Sequence, residues 1–140
     1  LFKVVDAKGP EMDQGETVTV FNDMCFMAPA TLIDKNIEWE EIDPLTIKAK
    51  FTNGNITISA VLYFNAEGAL LNFISNDRFE TVDGKTYNSC PWATPVKEYK
   101  QIGDRKFPVS AEAIYKKTDG DFCYGEFIIK SIEYNCREMR

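Results

Sequence analysis

Histidine is absent from this chain of 140 residues. Without an imidazole, a serine or cysteine nucleophile would need lysine or a carboxylate as its base, and neither GxSxG nor SxxK occurs. A Cys/His zinc set lacks its second ligand type. Cysteine is sparse too: Cys25, Cys90, Cys123 and Cys136 stand far apart, with no CxxC pair. Scattered through apolar stretches, they read as free buried thiols, although an even count leaves disulfide pairing open. No cation or helix N-terminus stands beside any of them to make a reactive thiolate. No apolar run is longer than residues 60–64, far too short to span a bilayer. Basic excess is also missing. With 22 acidic and 16 basic side chains the formal net charge is -6, which argues against nucleic acid or anionic lipid as the main partner. Phosphate-loop, dinucleotide and EF-hand signatures are not found. These absences lead to the expectation of a non-catalytic domain with no cofactor and no metal-ligand set.

What is present is apolar and aromatic: 44% hydrophobic and 13% aromatic residues place the chain in the globular class. Size scaling gives about 7,400 Å² of folded surface against about 23,000 Å² extended, so roughly two-thirds is buried. One core, and one domain over residues 1–140, is the expectation. The chain opens at Leu1 in a strand-like stretch, residues 1–9, with no charged region followed by an apolar one. It reads as the C-terminal part of a longer protein, whose missing N-terminal part would be a partner. No localisation signal is visible; a cytoplasmic location is expected, with the cell envelope as the alternative.

Asp13 and Glu16 have the spacing of a capping box. Behind them Val18, Phe21, Cys25 and Ala28 form one apolar stripe, and Val20, Met24 and Met27 a second beside it. That predicts a helix over residues 14–33 embraced by a sheet, although the β-branched Thr17 to Val20 also suit a strand. From Ile37 the period becomes two. Leu45, Ile47, Ala49 and Phe51 alternate with polar residues, Asn53-Gly54 supplies a hairpin turn, and Ile56, Ile58, Ala60, Leu62 and Phe64 return in phase. Val61 and Tyr63 suggest cover on the second face as well. Turns at Gly68, Gly84, Gly103 and Gly120 separate further strands, residues 70–82, 85–88, 96–102, 106–117 and 122–135. Between Asn88 and Pro95 two prolines argue against a central strand. The predicted class is α+β, mainly antiparallel β: a curved meander sheet of about seven strands wrapping one N-terminal helix.

The strings FNDMCFMAPATLID, IEWEEIDPLTIKAKFTNG, FNAEGALLNFISNDRF and CPWATPVKEYKQIGDRKFPVSAEAIY occur in this order. Together they resemble the C-terminal half of an uncharacterised bacterial family, known only as a domain of unknown function. The markers include the Pro29 to Leu32 corner, Asp77-Arg78, Pro91-Trp92 and Tyr99. The resemblance implies more sheet upstream and, by looser likeness, the half-barrel over a helix of lipoprotein carriers. It implies no reaction and no catalytic residues.

Four side chains are candidates for ligand contact. Arg78, in SNDRF, is able to anchor an anionic head group; an internal ion pair with an acid such as Glu112 or Glu126 is the structural reading and the expected one. Trp92, flanked by prolines, either recognises a ligand or closes the end of the core. Met24 and Met27 suit an adaptable lipid pocket or irregular core gaps equally. Glu38 and Glu40 read as a solvated strand face. A structural or interaction domain is therefore the expected role. A binding module for a lipid-like or other apolar small molecule, held between curved sheet and helix, is the alternative. An unfilled cavity lined by Phe, Ile and Met distinguishes the two.

Overall fold

The computed structural model describes residues 8–81 and 83–133. The strand expected over residues 1–9 lies largely outside these residues. So do Cys136 and residues 134–135 of the last expected strand, which among the described residues ends at Ile128 instead of running through residue 133.

Helix α1 spans Pro10–Met27 and starts one turn before the Asp13…Glu16 signal. Gly9 is its N-cap, with a φ of 116° that favours glycine, and Pro10 follows in the first turn, where a missing N–H costs nothing. The β-branched Thr17 and Thr19 are helical all the same, and their hydroxyls are satisfied within the helix by donating back to the carbonyls of Asp13 and Gly15, at 2.8 and 3.1 Å. A 3-10 turn, Pro29–Ile33, follows, since Pro29 cannot continue the helix.

Ten strands follow: β1 (Ile37–Asp43), β2 (Thr46–Asn53), β3 (Ile56–Phe64), β4 (Leu70–Ser75), β5 (Phe79–Glu80), β6 (Asn88–Ser89), β7 (Trp92–Ala93), β8 (Val96–Ile102), β9 (Arg105–Lys117) and β10 (Gly120–Ile128). Eight of them form one antiparallel sheet in the order β1-β2-β3-β4-β7-β9-β10, with β8 also paired to β9. β5 and β6 pair separately. The sheet is open, with β1 and β10 at its edges. This is the α+β, mainly antiparallel meander that the alternating pattern predicts.

Several local readings are corrected. Asn53 pairs with Ile56, so the turn between β2 and β3 is Gly54-Asn55, with Gly54 at a φ of 63°; the in-phase apolar residues set the register. The strand expected over residues 70–82 stops at Ser75. Ser75 Oγ donates to the Ser59 carbonyl at 2.6 Å, and Asp77 Oδ2 accepts from Ser59 N–H at 2.7 Å and Ser59 Oγ at 3.2 Å. The Asp77 carboxylate thus takes the donor that a continuing strand would have used. Trp92–Ala93, between the prolines, is a central strand after all. Pro91 and Pro95 flank it, so its ladder donors remain. The seam it makes with β4 is only Ile74 opposite Ala93 and Ser75 opposite Trp92.

One stripe of the helix is fully buried: Val18, Phe21 and Cys25 go into the core, joined by Thr17 and Asn22. Of the second stripe, Val20 is 47% exposed and Met24 and Met27 are half-buried. Phe21 is the hub: its ring stacks on Phe51 at 5.1 Å, meets Phe73 edge-on at 5.8 Å and lies 6.3 Å from Trp39. Ile58, Ala60 and Leu62 of β3 complete this floor, and Leu45, expected to face inward, is exposed. Tyr63 is exposed as well, so the far face of β3 is open rather than covered. Truncating Phe21 to alanine removes the hub and is expected to destabilise the fold by about 3–5 kcal/mol in a denaturant melt.

Candidate functional site

Where β9 and β10 extend past the single buried stripe of α1, a cleft of about 220 Å³ remains open to solvent. Phe26, Met27, Trp92, Val109, Ala111, Phe127 and Ile129 make its apolar walls. In its floor Asn22 Nδ2 donates to Thr94 Oγ1 at 2.6 Å, a buried polar pair satisfied within itself. Asp23 stands on the rim, and loss of surrounding water raises its carboxyl above the ordinary value of 3.8. A larger hollow of about 580 Å³, also open to solvent, lies between the 3-10 turn and Arg105 to Phe107, with exposed basic residues on its rim.

Arg78 stands beside the cleft. The bend held by Ser59, Ser75 and Asp77 takes the chain out of β4, and Gln14 of α1 fixes it by donating to the Asp77 carbonyl at 3.0 Å. The Arg78 stem then crosses Gly15, where an added Cβ would lie 3.4 Å from Cγ. Its guanidinium carbon is 4.9 Å from the centre of the Trp92 ring and 5.8 Å from that of Tyr115. Nη1 donates to the Tyr115 hydroxyl and, at 3.5 Å, to that of Tyr124; Nε donates to Thr19 Oγ1 at 3.4 Å. Burial raises the Tyr115 phenol above its ordinary value against the lowering effect of Arg78, so it remains a donor, to the Phe79 carbonyl at 3.2 Å.

Among the described residues the internal ion pair expected for Arg78 is not formed. Glu112 is paired with Lys97, Glu126 is exposed, and among the described residues no carboxylate lies within ion-pair distance of Arg78. Trp92 is 3% exposed and packs edge-on against Phe73, so it closes the end of the core while its other side lines the cleft. Met27 lines the cleft as well. Met24 does not; it packs on the core beneath the helix. The structure therefore brings Met27, Trp92 and Arg78 together and leaves Met24 apart.

Tyr115 and Tyr124 were not among the candidates. Tyr115 faces the core from β9, and Tyr124 is the extra residue of a β-bulge, since the register jumps from Cys123 opposite Ile114 to Gly125 opposite Ala113. The bulge turns Tyr124 so that its ring stacks on Tyr115 at 5.1 Å and its hydroxyl accepts from Trp92 Nε1 at 2.7 Å. Gly125 inside a strand was the available signal.

The thiols offer less. Cys25, Cys90 and Cys123 are free; Cys25 is buried and pushed up to about 12, but Cys90 is half-buried and Cys123 exposed, contrary to the uniform burial expected. Among the described residues no group of His, Cys, Asp or Glu is placed to hold a metal ion. What the constellation offers is an apolar cleft next to a cluster of hydrogen-bond donors.

A family model for a family of unknown function, DUF6544, matches residues 1–127. The chain belongs to this family. No curated protein and no solved structure matches it. For this DUF6544 chain the site's chemistry must therefore be argued from its own side chains.

Two expected outcomes test this description. Replacing Arg78 with methionine strands no carboxylate among the described residues and keeps part of the stem, so a denaturant melt should show a loss of only about 1–2 kcal/mol. For Asp23 the folded value is raised, so its contribution to stability is present below pH 3.8 and is lost as pH rises through the folded value. Asp23→Asn should therefore be the more stable protein at neutral pH, and the gap should close as the pH is taken below 3.8.

Proposed function

We propose that this domain is a non-catalytic binding module that takes an apolar or amphiphilic small molecule into the cleft between α1 and the β9–β10 hairpin. The observation that carries this reading is the unfilled cleft itself, with Phe26, Met27, Phe127 and Ile129 among its walls. A purely structural role would favour closing that space. The core beneath Phe21 is filled in this way, yet the cleft beside it is not. An apolar cavity of about 150 Å³ accepts a benzene ring, and pockets for drug-sized ligands measure about 300–1,000 Å³. At about 220 Å³ the cleft suits a ring or a short alkyl segment, with the rest of the ligand passing through the open side. Among the described residues no helix is long and apolar enough to cross a membrane. The lining also lacks a paired acid and base, which supports binding over catalysis.

The test uses a neutral dye, N-phenylnaphthylamine, whose fluorescence rises in apolar surroundings. The wild type should bind it and Ala111→Phe, which fills the cleft, should lose it while stability changes by less than about 1 kcal/mol. Ala60→Phe serves as the contrast. Ala60 lies in the packed floor under the helix, so the same enlargement there should cost about 1–3 kcal/mol and leave the cleft available. A wild type that binds no dye overturns the reading.

A further inference from the structure

Arg78 carries more donor capacity than the fold uses. Its Nε and Nη1 are engaged by Thr19, Tyr115 and Tyr124, but among the described residues Nη2 has no hydrogen-bond partner and the guanidinium no counter-charge. A half-buried cation without a carboxylate has lost water without gaining an ion pair. Beside it, the Tyr124 hydroxyl accepts from both Trp92 Nε1 and Arg78 Nη1, which occupies its two lone pairs. Its own proton has no acceptor among the described residues, and Tyr124 is 43% exposed. A fork of N–H donors and a hydroxyl proton thus stand side by side, with no oxygen between them to receive both.

This donor cluster shares a wall with the apolar cleft. Trp92 carries the guanidinium over its ring, donates to Tyr124 and also lines the cleft; Thr19 accepts from Arg78 and lines it too. We infer that the cleft is selective for amphiphiles with an oxyanion head, a carboxylate or phosphate, bound by Arg78 and Tyr124 while the apolar part lies between α1 and β9–β10. The inference rests on the binding-module reading and adds the class of ligand. Guanidinium offers such heads two parallel hydrogen bonds. The overall charge of -6 works against anions in general, so selectivity must be local. Asp23, one helical turn beyond Thr19 on the rim, repels an anionic head from its own side of the cleft and so favours the Arg78 side, where Thr19 accepts from Nε. The rival basic pair, Arg105 and Lys106, is solvent-exposed, and Lys106 already has Glu67 at 3.8 Å.

The experiment measures displacement of N-phenylnaphthylamine from the folded chain by decanoate, decyl phosphate and decanol, with acetate and inorganic phosphate as heads without a tail. The wild type should bind one or both charged decyl compounds about tenfold or more tightly than decanol, and acetate or phosphate far more weakly. Which charged compound prevails identifies the head. Arg78→Gln should bring the charged-to-neutral ratio close to one; Tyr124→Phe should lower it partly; Arg105→Gln with Lys106→Gln should leave it intact. Because the ratio is taken within each protein, a change in stability does not imitate the effect. The wild-type and Tyr124→Phe ratios decide the matter even if Arg78→Gln fails to fold. Equal binding of decanol and the charged compounds to a wild type that binds the dye overturns this inference and leaves the binding module standing. So does a preference that survives Arg78→Gln or disappears with Arg105 and Lys106. Acetate or inorganic phosphate binding as tightly as the decyl compounds overturns the amphiphile in favour of a free oxyanion. If neither the dye nor any decyl compound binds, both readings fall.

Discussion

One helix has to cover a sheet wider than its own apolar face. Helix α1 buries the single stripe Val18, Phe21 and Cys25, and Phe21 gathers Phe51, Phe73 and Trp39 around it. That stripe covers the middle of the sheet and cannot also cover the β9–β10 end. Everything proposed for the site follows from this shortfall. The cleft is the part of the helix-covered face that the helix does not reach, and Trp92 is the residue at which the filled and unfilled regions meet. Its indole packs on Phe73 on one side and serves the cleft and the guanidinium on the other.

The second constraint is the end of β4. A strand continuing past Ser75 would have carried Arg78 along the sheet. The Asp77 carboxylate takes the Ser59 donor instead, the chain turns, and Arg78 is laid across Gly15 against the helix. Gly15 has no side chain there, so the arginine stem lies close to the helix backbone without displacing it. A polar latch in one strand thus sets the position of a cation that contacts the helix, β7, β9 and β10.

The class of fold was legible because alternation over residues 45–64 and glycine-marked turns admit few arrangements other than an antiparallel meander. Resemblance also placed the chain in an uncharacterised family, and the family model agrees. The helix was legible in place but not in its start or its width, since Gly9-Pro10 outweighed the Asp13…Glu16 signal and Val20 found no sheet to face. Arg78 and Trp92 were recognisable as unusual side chains, yet their relation was not. It depends on the Ser75–Asp77 bend and on the Tyr124 bulge, two interruptions of period-two pattern that shift which way later residues point. A one-residue interruption of that kind changes the face of every residue after it, which is why alternation predicts cores better than sites.

The narrow seam between β4 and β7 has a further consequence, for the order in which the sheet is assembled. β1 through β4 are joined by short hairpins, and so are β8 through β10, whereas Ile74–Ala93 and Ser75–Trp92 link strands separated by a longer stretch of chain. Local hairpins close early because little chain entropy is lost in forming them, and distant pairs close late. The two ribbons close locally, and joining them through Trp92 closes longer loops, to β4 across Ser75–Trp92 and to β9 across Trp92–Tyr115, so this step is expected to come last. The same indole that borders the site is thus expected to be among the last residues to take its place as the chain folds.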